Sequence, residues 1–296
     1  MSSPAPVLRF APTPNGRLHL GHAYSALCNQ RWTEALKGRL LLRIEDTDPT
    51  RCKPEFEASI LDDLAWLGIV FDGPPRRQSE HPVDYADALA KLEARGLVYP
   101  CFCTRGQIAR ASAGGRDPDG APLHRGGCVA VSARETRERL AAGEPAALRL
   151  DVARALACVQ APLFWREYGE GAEERRVEAA PEAWGDIVLR GKGRPATYHL
   201  AVVVDDRLQQ VSDVVRGRDL FASTSAHRLL QELLGYGAPR YRHHRLVLDV
   251  TGAKMSKSAS SRPLAALRAG GLSASVLRAS LGFGPPAEGG LEILLN

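Results

Sequence analysis

Apolar residues fall in two rhythms along this 296-residue chain. PVLRFAP (6–12) and RLLLRIED (39–46) are short, dense, β-rich runs, whereas AYSALCNQRWTEAL (23–36) spaces its apolar residues for a helix that ends at Gly38. EFEASILDDLAWLG (55–68) and PVDYADALAKLEARG (82–96) are two more helical segments, each opening at or after a proline and closing on a glycine. TPNG (13–16) is a turn signal between the first strand and the first helix. Strand, helix, strand at this spacing predicts a βαβ unit, and with it a Rossmann-type parallel α/β sheet. Ligands of such sheets bind beyond the carboxyl ends of the strands, so the loop after the first strand is where chemistry is expected.

The rhythm changes near residue 100. AALRLDV (146–152) and CVQAPLFW (158–165) are β-like runs within a segment that interrupts the α/β pattern, and WGDIVLRGKG (184–193) closes it. TYHLAVVVDD (197–206) then returns the chain to the sheet. A helix, AHRLLQELLG, a strand, RLVLD, a polar stretch, TGAKMSKSASS, and two short helices starting near Pro263 and Ser273 complete the pattern. The expected division is therefore 1–99 as the first half of a Rossmann catalytic domain, 100–186 as an insertion, 187–235 as the second half, and 236–296 as a C-terminal segment. Internal repeats and long low-complexity tracts are absent from the sequence.

Composition narrows the class. Hydrophobic residues make up 44% and charged residues 25%, with no apolar run of about eighteen residues, so a membrane protein is not expected. The opening MSSPAPVLRF lacks the basic start and apolar centre of a signal peptide, which points to the cytoplasm and to cysteines that are reduced or bound to metal. A formal charge of +5 favours a polyanionic partner.

Candidate chemistry sits in three places. Pro12 to His22 reads PTPNGRLHLGH, with His19 and His22 flanking Gly21 where the helix begins. A helix N-terminus offers free N–H groups and the positive end of its dipole to a phosphate, and the imidazoles can donate to phosphoryl oxygens. About 230 residues later comes KMSKS, with Lys254 and Lys257 in a stretch that has no apolar face to bury. Between them, Cys101, Cys103, His124 and Cys128 offer three thiolates and an imidazole, a set that suits one tetrahedral Zn²⁺. Cys28, Cys52 and Cys158 have no partners at ligand spacing.

HLGH after the first strand and KMSKS far downstream, in that order, resemble the paired signatures of class I aminoacyl-tRNA synthetases. LRFAPTPNGRLHLGH, RIEDTD (43–48), TYHLAVVVDD and VVRGRDL (214–220) further resemble the glutamate-specific branch. The resemblance implies ATP and Mg²⁺ as reactants, with His19, Gly21, His22, Lys254 and Lys257 meeting the phosphates. It implies an L-glutamate pocket in which Arg9 and Arg216 meet carboxylates, Phe10, Ala11, Pro12 and Thr13 form the wall, Glu45 holds the ammonium, and Tyr198 closes over the ligand. Thr13 stands where the branch usually has serine, and the hydroxyl is retained. His124 stands where the branch often uses a tyrosine as a zinc ligand, and the insertion would embrace a tRNA arm.

Full-length glutamyl enzymes continue for well over a hundred residues into an anticodon-reading domain, whereas this chain ends a few dozen residues after KMSKS. The likeness is therefore greatest to a truncated branch that activates glutamate without tRNA and transfers it to queuosine in the anticodon of aspartate tRNA. Val202, where longer relatives tend to have asparagine, agrees. A short enzyme charging the tRNA 3′ end and a non-catalytic tRNA-binding paralogue are the alternatives, the latter expected to have lost signature residues that this chain keeps.

Overall fold

The computed structural model describes residues 4–126, 131–160, 162–171, 173–248, 262–285, 291 and 293–296. Its centre is a parallel sheet assembled from both halves of the chain. Val7–Phe10 pairs with Arg39–Ile44, which pairs with Arg76–Arg77. Asp213–Gly217 pairs with Arg240–His244, which pairs with Phe164–Glu167, and Arg175–Glu178 adds an antiparallel edge. The two groups meet where Ser212 N–H donates to Val7 O at 3.0 Å and Val7 N–H donates to Ser212 Oγ at 2.9 Å. Strand order runs outward in both directions from that junction, which makes its carboxyl end the crevice of the fold. Within 100–186, Phe164–Glu167 thus belongs to the parallel sheet, while Val98–Cys101, Ala147–Leu150 and Ile187–Arg190 form a separate antiparallel sheet.

Alternation along the first strand sorts its side chains. Leu8 and Phe10 enter a core cluster with Leu27, Leu42, Ile60, Leu64 and Leu264. Arg9 points the other way, and its Nε donates to Asp206 at 3.0 Å. A second cluster joins Leu89, Leu92, Leu189, Leu200, Val203, Leu229 and Leu230.

TYHLAVVVDD is not a strand: Tyr198–Leu208 is a helix. Leu200 to Asp206 are all buried, and a short helix apolar nearly all round has the same unbroken hydrophobic run as a central strand. RYRHH (240–244), which the sequence reading leaves without an element, forms an interior strand with four of its five residues buried. At RLVLD, where the sequence reading places a strand, Val247–Leu248 pairs with Leu294–Leu295 among the described residues. The C-terminal helices Leu264–Ala269 and Ala274–Ser280 start after Pro263 and Ser273, as expected. Among the described residues no helix is long and apolar enough to cross a membrane.

Candidate active site

A cavity of about 540 Å³ opens at the junction of the two strand groups. Arg9, Phe10, Ala11, Pro12, Thr13, His19, Gly21, His22, Glu45, Tyr198 and Arg216, dispersed over more than two hundred residues of sequence, all line it. Lys254 and Lys257 lie outside the described residues, as does Cys128. Leu264 N–H, a few residues beyond KMSKS, donates to Leu18 O at 2.8 Å, which ties the chain after that motif to the residue before His19.

The HLGH turn is held by its own imidazoles. His19 caps the helix Leu20–Leu36: its Nδ1 accepts from Gly21 N–H at 3.1 Å, while His22 Nδ1 accepts from His19 N–H at 3.3 Å. This is a capping box built from histidines rather than Ser and Glu. With each Nδ1 accepting, the neutral ring carries its proton on Nε2. Gly21, which lines the cavity, also has a cause within the fold. A Cβ there would sit 3.0 Å from His19 Cε1 and 3.2 Å from Nδ1, so glycine is what lets the His19 ring fold over the helix start.

On one wall, acids and arginines interlock. Asp206 accepts from Arg9 Nε at 3.0 Å and from Arg43 Nη1 at 2.7 Å, and Arg43 Nη2 donates to Glu45 at 3.3 Å. The two guanidiniums, working against burial, hold Asp206 below the usual carboxylate range. Burial outweighs Arg43 and Arg9 at Glu45 and pushes its carboxyl up. Asp205, next along the helix, faces away and accepts from Gln78 Nε2 at 2.7 Å, Arg76 Nε at 2.8 Å and Tyr85 OH at 3.0 Å. That web fastens the helix carrying Tyr198 to the first half of the sheet.

Arg216 is bonded differently. It is 4% exposed, and its Nε donates to His243 Nε2 at 3.0 Å, Nη1 to Tyr198 OH at 3.1 Å and His227 Nδ1 at 3.2 Å, and Nη2 to Thr224 Oγ1 at 2.7 Å. Burial lowers the His227 pKa well below its ordinary value and brings His243 down to about 4, so both rings are neutral near pH 7. Among the described residues Arg216 has no carboxylate within ion-pair distance. A buried guanidinium surrounded by neutral acceptors, on the wall of a cavity, has an unmet demand for an anion. Gly217 beside it leaves room for Asp219 and Leu246, both of which a Cβ would strike. Val202 is buried in the second core cluster and does not line the cavity.

Sequence reasoning found Arg216 and Tyr198 but not Thr224, His227 or His243. Both histidines are buried, His227 on the helix Ser223–Leu234 and His243 on the strand Arg240–His244, and no sequence signal marks either.

A cluster of side chains that could hold a metal lies elsewhere, at the antiparallel sheet. The ligand atoms of Cys101, Cys103 and His124 lie within 4.8 Å of one another, and Cys101 Sγ is 3.6 Å from His124 Nε2. Behind the ring, Tyr99 OH lies 3.2 Å from His124 Nδ1 and donates to Asp186 at 2.6 Å, and Asp186 is 3.6 Å from the same Nδ1. An imidazole with one nitrogen toward two thiols and the other backed by a carboxylate is how histidine is oriented for a metal, so this trio fits one. Gly185, at φ +57°, allows the backbone to pass His124 O, which a Cβ would meet at 2.6 Å.

Residues 7–288 match the family model for the catalytic domain of class I tRNA synthetases, E and Q type. The chain belongs to the class I glutamyl- and glutaminyl-type tRNA synthetases. It is therefore a ligase of the aminoacyl-tRNA synthetase family, whose reactions use ATP and Mg²⁺. It is 43% identical over 285 residues to a glutamyl-Q tRNA(Asp) synthetase from Rhodobacter capsulatus, covering 94% of this chain and all of that one. A glutamyl-Q tRNA(Asp) synthetase from Leptothrix cholodnii is 41% identical, with 94% and 91% covered. Glutamate–tRNA ligase 2 of Syntrophus aciditrophicus is 36% identical over 266 residues, spanning 87% of this chain and 52% of its own. Among solved structures, the glutamate-tRNA synthetase of Elizabethkingia anophelis shares the fold with a TM-score of 0.76 at 24% identity, over 93% of this chain and 61% of that one.

Proposed function

We propose that the cavity binds L-glutamate and ATP, joins them as glutamyl-adenylate without tRNA, and passes the glutamyl group to queuosine in the anticodon of aspartate tRNA. The observation that carries the amino-acid assignment is Arg216: a buried fork with neutral partners only calls for a carboxylate from outside. Arg9 meets the second carboxylate of the same dianion, Glu45 accepts from its ammonium, and Tyr198 lies over it. The ammonium would add positive charge beside Glu45, whose carboxyl burial pushes up despite Arg43. The glutamate α-carboxylate oxygen attacks the α-phosphorus of ATP and pyrophosphate leaves, its charge met by His19, His22, Lys254 and Lys257 and by Mg²⁺. A hydroxyl of the queuosine diol then attacks the activated carbonyl, giving up its proton as AMP departs.

The acceptor is supported by the two relatives at 41–43% identity that carry the glutamyl-Q name and match nearly end to end. The crevice, with the neighbouring stretch 100–186, receives the anticodon arm, and one structural Zn²⁺ on Cys101, Cys103, His124 and Cys128 stiffens that stretch. The matched glutamate ligase keeps a second outcome open to measurement, transfer to the tRNA 3′ end. The test supplies labelled glutamate and ATP with purified aspartate tRNA, with and without queuosine, and with glutamate tRNA. Glutamate-dependent ATP–pyrophosphate exchange without tRNA, and label on the queuosine-bearing tRNA alone, are the expected results. Exchange that appears only with tRNA refutes tRNA-free activation, and label on unmodified glutamate tRNA refutes the acceptor.

A further inference from the structure

Glu167 ends the strand Phe164–Glu167, lies in no signature motif, and is 1% exposed. Its Oε1 accepts from the backbone N–H of Gly169 at 2.9 Å and of His243 at 3.0 Å, and its Oε2 accepts from Trp165 Nε1 at 3.2 Å and lies 2.6 Å from His243 Nδ1. All four contacts use the carboxylate as acceptor, which a carboxylate alone among side chains can provide. On the far side of the His243 ring, Nε2 accepts from Arg216 Nε. A neutral imidazole that accepts at Nε2 must carry its proton on Nδ1, toward Glu167.

We infer that Glu167 and His243 are positioning residues for the substrate carboxylate site, acting together through the His243 tautomer to aim Arg216 without neutralising it. One imidazole separates the Glu167 charge from the guanidinium. Direct pairing of Glu167 with Arg216 would satisfy the cation and compete with a ligand carboxylate; through His243 the acid orients the fork and leaves its charge for the ligand. His227 plays the matching part on the other edge. Its Nδ1 accepts from Arg216 Nη1, so its Nε2–H donates to His199 Nδ1 at 3.2 Å, another neutral ring. Tyr198 and Thr224 complete a cradle of uncharged acceptors. The inference deepens the reading of the cavity as a glutamate site and rests on it.

Glu167→Gln separates this role from a packing one. The amide has the same shape but can accept with one end only, so it must turn either its NH₂ or its oxygen to His243. The backbone N–H groups of Gly169 and His243 hold the oxygen at the Oε1 place, so the NH₂ faces Nδ1, and the ring moves its proton to Nε2 and sets donor against donor at Arg216. The full chain is titrated with L-glutamate and, separately, with ATP. Glu167→Gln is expected to weaken glutamate at least tenfold and to leave ATP affinity within error. Adding His243→Gln to it, which supplies an acceptor to Arg216 with no tautomer to choose, is expected to recover most of that loss. Wild-type glutamate affinity in Glu167→Gln, or equal losses for glutamate and ATP, overturns the inference. Should that variant not fold, the histidine ring nitrogens of the wild-type protein decide it by NMR: a proton on His243 Nδ1 supports the inference and one on Nε2 refutes it. Wild-type protein that binds no glutamate would instead fell the reading of the cavity, while the His243 tautomer would still report on the geometry.

Discussion

Arg216→Gln should separate affinity from stability. In the free protein the guanidinium is out of water and, among the described residues, has no acid beside it, a state that burdens the fold. Glutamine is uncharged and can still donate to one or two of Thr224, His227 and His243, so the fold loses some hydrogen bonds and a buried charge together. The urea midpoint is expected to stay level or rise. Binding moves the other way. Two unit charges about 4 Å apart are worth about 4 kcal/mol at an effective dielectric of about 20. A remaining amide hydrogen bond retains about 1 kcal/mol of this. The net loss of about 3 kcal/mol corresponds to roughly a 10²-fold weaker glutamate Kd. Calorimetric titration with glutamate and urea unfolding on one preparation measure both. Parallel loss of affinity and stability would make Arg216 part of the scaffold, and glutamate binding within threefold of wild type would remove it from the pocket.

Zinc analysis of purified protein is expected to give about one equivalent, and Cys103→Ser to lose it and destabilise the antiparallel sheet more than the parallel one, read by hydrogen exchange; metal-free protein that is fully folded and active would count against a structural zinc. Lys257→Ala should lower adenylate formation by roughly 10²–10³ and leave glutamate affinity nearly intact, as for a charge used in the transition state, so unchanged exchange would remove its role. His199 and His243 are both held at about 4, chiefly by burial, against 6.5 in the unfolded chain. The unfolded state therefore binds more protons between those values, and stability should be full above about pH 6.5 and fall as pH drops toward 4, by roughly 3 kcal/mol per ring; flat urea midpoints from pH 7 to 4.5 would contradict this. Gly21→Ala is expected to displace the His19 ring and weaken ATP more than glutamate, and equal weakening of both would argue for a general collapse of the turn.

What could be read from sequence followed the locality of each signal. HLGH and its strand–turn–helix frame are contiguous, so pattern and turn chemistry agree, and all eleven cavity residues expected from the described part of the chain do line one cavity. Tyr198 was correctly expected at the cavity although its segment was misread, because the motif survives whether the backbone is strand or helix. The cradle of Arg216 was not legible. Glu167, Thr224, His227 and His243 come from two strands and a helix: parallel pairing of Phe164–Glu167, Arg240–His244 and Asp213–Gly217 brings Glu167 and His243 to Arg216, and the helix Ser223–Leu234 packs Thr224 and His227 against it. RYRHH has no apolar alternation to mark it as a strand, and the strands on either side make it interior. The gathering of Cys101, Cys103 and His124 was legible as spacing, but Tyr99 and Asp186, which back His124, carry no signature of their own.

The meeting of Val7 with Ser212, 205 residues apart, bears on how the protein comes off the ribosome. The first strand is made early and finds Arg39–Ile44 soon afterward, yet its other edge has no neighbour until residue 212 and beyond has been synthesised. For most of translation that edge is an open template of unpaired backbone bordered by Leu8 and Phe10. Closure of the sheet, and with it assembly of the cavity, is then a late and long-range event, the slow kind in a folding reaction. Nascent chains arrested before residue 212 should consequently engage chaperones at this strand, and release past residue 244 should end the engagement.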